Sequence, residues 1–294
     1  MDIKPFSTND APHAEQLFSM SFEEDHLLEL LKRHRYDFAY SAFSSEKLAA
    51  VMFGWRSRFH PNCTYFKAVS NPLIADEQLF ECLLAEVEQQ EKFRYPLQTT
   101  IWETAAALKS VYEKNGFFEI RRTSMPALSL GNDLLEFPLN TEHDGQVIQC
   151  ISDLAKEGRD QLVSLVKRIY EETHEVNPPA DQSTDEWEPL VFAEDMIPEG
   201  SFVSTDRKTG QVIAYSFLHE SGKDGVHELG WCGCNKKTEL AVLPKLVQQQ
   251  LHYSVSQQIH TIEGEFDTTD PYAMEILKRF PFMPCPALIT YQKK

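Results

Sequence analysis

Val111–Ile120 reads VYEKNGFFEI, and Ile276–Cys285, much further along, reads ILKRFPFMPC. The first stretch has three parts. VYEK has the composition of a last helical turn, Gly116 supplies the left-handed residue that ends many helices, and the aromatic run after it starts a strand. The second stretch keeps this frame, with Leu277 in place of Tyr112 and Pro281 in place of Gly116. One helix-to-strand unit is therefore used twice in the chain, and periods of this length must be sought before any other feature is read.

Working outward, the elements around the two copies recur in the same order. In the first half DIKPFS is a strand, and two helices follow, the second placing Leu27, Leu28, Leu30 and Leu31 on one face. YDFAYSAF, KLAAVMFGWRSRF and CTYFKAVS make an antiparallel meander. EQLFECLLAEVEQQEKF is a long amphipathic helix, LQTTIWE a strand, AAALKSVYEKN a helix, and FFEIRR and PALSL close the half as strands. In the second half QVIQCIS, two helices, the meander GSFVSTD, QVIAYSFLHES and VHELGWCGC, a helix around LPKLVQQQLHYSVSQ, then TIEGEFD, YAMEILKRF and ALITYQKK repeat that order. Between them Gly131 to Gly145 is polar and turn-rich. The expected division is a domain at 1–130, a linker at 131–145 and a domain at 146–294. Strands alternating with helices around a meander define an α/β (α+β) class, with a mixed, partly antiparallel twisted sheet flanked by helices in each half.

At 294 residues the chain has length for two cores. Its net charge is −17, and acidic residues outnumber basic ones in both halves. That balance opposes a nucleic-acid partner, which needs a basic face, and is electrostatically open to a cationic small molecule. No stretch is long and apolar enough to span a membrane, and the start carries no signal peptide, so a cytoplasmic address is expected. The six cysteines are scattered and expected to be reduced. Cys232-Gly-Cys234 is a close pair, but strand alternation accounts for it and no metal site is expected.

Tyr112-Glu113-Lys114-Asn115-Gly116-Phe117, together with the order of elements, resembles the GNAT superfamily of N-acetyltransferases, here as a tandem pair of GNAT-like domains. The resemblance implies acetyl-CoA as co-substrate, lying between the fourth and fifth strands, with its pyrophosphate at the start of the long helix. It implies a small-molecule amine or peptide acceptor, a general base, and a tyrosine that returns a proton to the thiolate; Tyr112 stands at that position. Whether the protein acts as a monomer or a homodimer stays open.

The pattern's phosphate turn is altered in both halves. In the first, its basic and glycine positions fall on Ala75, Gln78 and Phe80, beside Asp76 and Glu77. In the second they fall on Thr238, Ala241 and Leu243, flanked by Lys236 and Lys237, and Pro244 puts the helix start near Val242. The resemblance thus points to Cys234, Asn235, Lys236, Lys237, Thr238 and Ala241 in the second half, and to Val69 and Asn71 in the first, as cofactor-binding residues. On VHELGWCGC, Glu228 is the candidate base, with His219 and His227 as alternatives; alternation puts Glu228 on the face opposite His227 and Leu229. The functional expectation is an acyl-CoA-dependent N-acetyltransferase with one domain degenerate. The alternative is a catalytically silent protein of the same fold that binds acyl-CoA, a metabolite or a protein.

Overall fold

A computed structural model describes residues 2–21, 25–44, 46–73, 77–89, 96–131, 142–143 and 145–294, without the side chains of 142–143 and of Thr238. In chain order the elements are β1 (Asp2–Pro5), α1 (Ala11–Ser21), α2 (Asp25–Lys32), β2 (Phe38–Ser44), β3 (Lys47–Trp55), β4 (Thr64–Ser70), α3 (Glu77–Glu88), β5 (Leu97–Trp102), α4 (Ala106–Lys114), β6 (Phe118–Ser124) and β7 (Ala127–Ser129). They continue with β8 (Glu142–His143), β9 (Gln146–Cys150), α5 (Lys156–Thr173), α6 (Thr184–Val191), β10 (Phe202–Asp206), β11 (Val212–Glu220) and β12 (Val226–Cys234). The last are α7 (Leu243–Ser256), β13 (Thr261–Gly264), β14 (Phe266–Asp267), α8 (Pro271–Arg279) and β15 (Ala287–Lys293). Both expected halves have the mixed α/β architecture.

The chain divides into two compact units. The first comprises Met1–Arg121, Val176–Ala180 and Leu288–Lys294. Its strands run in the order β1-β2-β3-β4-β5-β15-β6. The meander β2-β3-β4 is antiparallel, whereas β4 and β5 are parallel and pair only at Thr64–Leu97 and Tyr65–Gln98 before they diverge. Leu79, Leu83 and Val87 of α3 pack on one face with Phe66, Tyr112, Ile289 and Tyr291. Leu17, Phe18 and Leu31 of α1 and α2 cover the other face with Val51, Phe53 and Val69.

The second unit comprises Arg122–Glu175 and Asp181–Ala287. Its sheet has the order β7-β13-β12-β11-β10-β9-β8, parallel only between β12 and β13. Ile169 of α5 lies over Gly233 on one face, and Gln250 of α7 hydrogen-bonds Ser216 on the other. The second helix of this half, α6, starts at a capping box in which Ser183 and Glu186 bond each other's backbone amides.

The closing strands correct the expected boundaries. PALSL and ALITYQKK read as the ends of their own halves, yet β7 pairs with β13 in the second unit, and β15 pairs with β5 from Leu97↔Lys293 to Trp102↔Leu288 in the first. Ile289 and Tyr291 are thereby sealed into the core around Tyr112, so burial of apolar surface drives the exchange. Residues 176–180 also belong to the first unit: Ala180 N–H donates to Phe59 O at 2.7 Å and the Asn177 amide donates to Tyr65 Oη at 2.7 Å. Of the expected linker, 132–141 and 144 lie outside the described residues, and 142–143 pair with β9.

Candidate functional site

In the first unit the site expectations fall on structural residues. Tyr112 has no exposed surface and packs against Phe66, Phe117 and Tyr291 with ring centroids 5.6, 5.2 and 6.1 Å away. Its carbonyl accepts the amide of Phe117, which closes the helix around Gly116 at φ 81°. Val69 is buried beneath α1, and Asn71 makes a local turn by accepting Leu73 N–H. Ala75 and Asp76 lie outside the described residues. Glu77, in the first turn of α3, is ion-paired at 2.5 Å with Lys114, whose hydrogen bond holds the carboxyl below its ordinary range. A carboxylate there opposes a phosphate.

In the second unit a bulge builds the site. Ser216 faces Cys232 and Leu218 faces Leu229, so Phe217 alone faces both Gly230 and Trp231. Two residues against one break the alternation and re-aim the next side chain. Strict alternation would send Trp231 to the α7 side with His227 and Leu229. Instead its ring lies 5.1 Å from Tyr170 of α5, on the side that carries Glu228.

Glu228 sits directly across from His219, and both are partly exposed. His219 Nδ1 is 3.2 Å from the carboxylate of Asp195. Its ring lies where a side chain on residue 230 would be, since a Cβ on Gly230 would overlap Nε2. Glu263, the neighbour of Glu228 on β13, is neutralised by Lys223 at 2.7 Å. Glu228 makes no ion pair or side-chain hydrogen bond among the described residues. His227, on the other face, is buried against Ser254, and burial lowers its pKa. Tyr272 and Tyr253 do not replace the missing helix tyrosine: Tyr272 is enclosed in α8, its hydroxyl pushed up to about 12 by burial, and Tyr253 stacks on His227 on the α7 side.

Beyond Leu229 and Gly264 the parallel pairing stops, and β12 runs on to Cys234 with no strand paired on that side among the described residues. An open strand edge can pair with the amide groups of an extended acyl-coenzyme A arm. Cys234 ends the edge, its thiol buried, pushed up to about 12 by burial and donating to Lys236 O. Asn235 accepts from Arg168 through its side chain at 3.0 Å. Lys236 is exposed, with a 3.9 Å contact to Glu239 as its ion pair among the described residues, and Lys237 pairs with Glu172 at 2.6 Å. Ala241 is exposed in the 3-10 turn Lys237–Val242, Thr238's side chain lies outside what is described, and α7 starts at Leu243 with Pro244 in its first turn. The turn consumes its own donors, as Leu243 N–H bonds Leu240 O. The edge thus fits the amide-bearing arm, and at its end lysine side chains rather than a glycine-lined nest face an anion. A cleft of about 680 Å³ on the α5 side of Asn235 is lined by Glu157 and Asp160 as well as Arg168, which disfavours phosphate there.

No family model matches the sequence, and no curated protein is similar to it. Solved structures are. The chain resembles a GCN5-related N-acetyltransferase from Sphaerobacter thermophilus (15% identity, 99% of this chain and 95% of that chain covered, TM-score 0.62). It also resembles a tandem GNAT protein from the clavulanic acid biosynthesis pathway (12% identity, 99% and 98% covered, TM-score 0.61). A third likeness is to an acetyltransferase of the GNAT family from Colwellia psychrerythraea (10% identity, 100% of both chains covered, TM-score 0.55). The chain therefore has the fold of the GNAT N-acetyltransferases, in its tandem form. No helix among the described residues is long and apolar enough to cross a membrane.

Proposed function

We propose that the protein is an acyl-CoA-dependent N-acetyltransferase acting on an amine of a small molecule or peptide, with its chemistry in the second unit and the first unit degenerate. The observation that carries this reading is the β12 bulge, which sets Glu228 and His219 beside an open strand edge. Acetyl-CoA supplies an activated acyl carbon when bound; the β12 edge from Gly230 to Cys234 would hold its arm, and Lys236 and Lys237 its phosphates. Glu228 takes a proton from the ammonium of the acceptor and frees the lone pair. A C–N bond then forms as the C–S bond breaks, and the second proton shed by the newly acylated nitrogen is taken up by the departing thiolate. Tyr112 is assigned a packing role, because its hydroxyl is enclosed. We place the protein in the cytoplasm, as a monomer or homodimer.

Glu228→Gln tests the assignment. General-base loss should lower kcat about 10²-fold or more, while the thermal shift given by acetyl-CoA stays as in the wild type, about 2.7 kcal/mol at 100 times Kd. Unchanged kcat would remove Glu228 from the mechanism. The absence of glycines from both phosphate turns favours a second reading, a silent protein of this fold. No thermal shift at millimolar acetyl-CoA would select it.

A further inference from the structure

Resting on the reading that Glu228 faces the acceptor, we infer that the acceptor is an arylalkylamine: an aromatic ring on a short arm that ends in a protonated amine. Trp231 is 39% exposed at the point where the bulge turns it onto the Glu228 face. A lone exposed tryptophan is unremarkable on a surface, but this ring is one face of a fixed wall. Tyr170 stands 5.1 Å from it, the imidazole of His174 is stacked on Tyr170 at 3.8 Å and 8°, and the fully buried Trp187 backs both at 5.3 and 6.2 Å. Such a wall is held before any ligand arrives, and its open face suits another ring.

The other end of the site is anionic. Glu228 carries no counter-ion among the described residues, and Asp195 sits behind His219. Trp231 lies three positions beyond Glu228 on the strand, about 10 Å at the usual rise and less across a bulge. A carboxylate–ammonium hydrogen bond, a two- or three-carbon arm and a stacked ring span that distance. A linear polyamine would need a second carboxylate at the far end, and the site offers Gly230 and then an indole. Trp231 is thus a specificity-determining residue for the ring.

The test uses the full chain and two amines, 2-phenylethylamine and n-hexylamine, titrated by calorimetry and then assayed with acetyl-CoA. Phenylethylamine should bind about fivefold to tenfold more tightly, the worth of one aromatic pair. Trp231→Phe should keep most of this preference. Trp231→Ala and Trp231→Leu should bring the two affinities within about twofold of each other, with near-ultraviolet circular dichroism reporting that each variant is folded. Equal or tighter binding of hexylamine to the wild type, or a preference that survives in both Trp231→Ala and Trp231→Leu, overturns the inference. Ring preference without acetyl transfer would sink the acetyltransferase reading and leave an arylalkylamine-binding site standing, whereas transfer without ring preference does the reverse.

Discussion

Gly230 and Gly233 lie three positions apart on β12 and both admit a foreign ring or methyl over their backbone, yet replacing them should have opposite consequences. A Cβ on Gly230 would collide with His219 Nε2, the far end of a side chain that can swing toward solvent. A Cβ on Gly233 would meet Ile169 at 2.5 Å inside the α5 packing, where nothing can swing away. Gly230→Ala should therefore break the His219–Asp195 bond and lower kcat/KM by about tenfold or more at nearly unchanged Tm, while Gly233→Ala should cost about 1–3 kcal/mol by overpacking. Thermal melts beside steady-state kinetics separate the two; a Gly230→Ala enzyme with wild-type kinetics would exclude His219 from the site. At this scale the sequence was legible in part. Glu228 could be read from its strand and its face from alternation, and the structure has it on that strand and that face. Trp231 could not, because an extra residue in a strand has no local sequence signal and reverses the face of every later residue. Tyr112 matched a motif, but a motif says nothing about whether a hydroxyl reaches solvent.

Helix α8 stands where the second half lost the tyrosine and the glycine of VYEKNGFFEI, and its start shows what holds it. Asp270 caps it by accepting the amides of Tyr272 at 2.8 Å and Ala273 at 3.2 Å. Burial pushes the Asp270 carboxyl up to about 6, more than those two amides lower it, with Asp267 and Glu172 adding to the rise. An unfolded aspartate titrates near 3.9. Between these values the folded state binds more protons than the unfolded state, so stability declines as pH rises from about 4 to about 6 and is flat above, by at most about 3 kcal/mol. Asp270→Asn keeps a capping oxygen and removes the titration. Its Tm relative to wild type should rise across that window and then level; parallel profiles would mean that the carboxyl is not held in its neutral form. The order of such elements was readable from periodicity and caps. Their partners were not: ALSL and ALITYQKK have the same strand signal, and nothing near either sequence tells Ile289 to face Ile101. Pairing between residues so distant is decided by which side chains fill the core, a property of the whole chain.

Strand exchange makes the two halves of the chain inseparable without unfolding. The first unit's sheet places β15, from the end of the chain, between β5 and β6, and the second unit's sheet takes β7 from the first half. Cutting the backbone between them removes one covalent link and none of the strand pairing. A protease site introduced within 132–141, outside the described residues, should accordingly give a nicked protein that still elutes as one full-size particle. Pulling the pieces apart would expose Ile289, Tyr291 and the core around them, at about 1.5–3 kcal/mol for each large apolar side chain, against a usual total stability of about 5–15 kcal/mol. The separate pieces 1–130 and 146–294, expressed alone, should for the same reason be unfolded or aggregated, each lacking a strand inside or beside its sheet. Mixing them from denaturant should restore both the full-size particle and the amine-binding site of the second unit. Independent folding of either piece, or elution of the nicked protein as two half-size species, would show that each half closes its own sheet after all, and would restore the simple boundary read from the sequence.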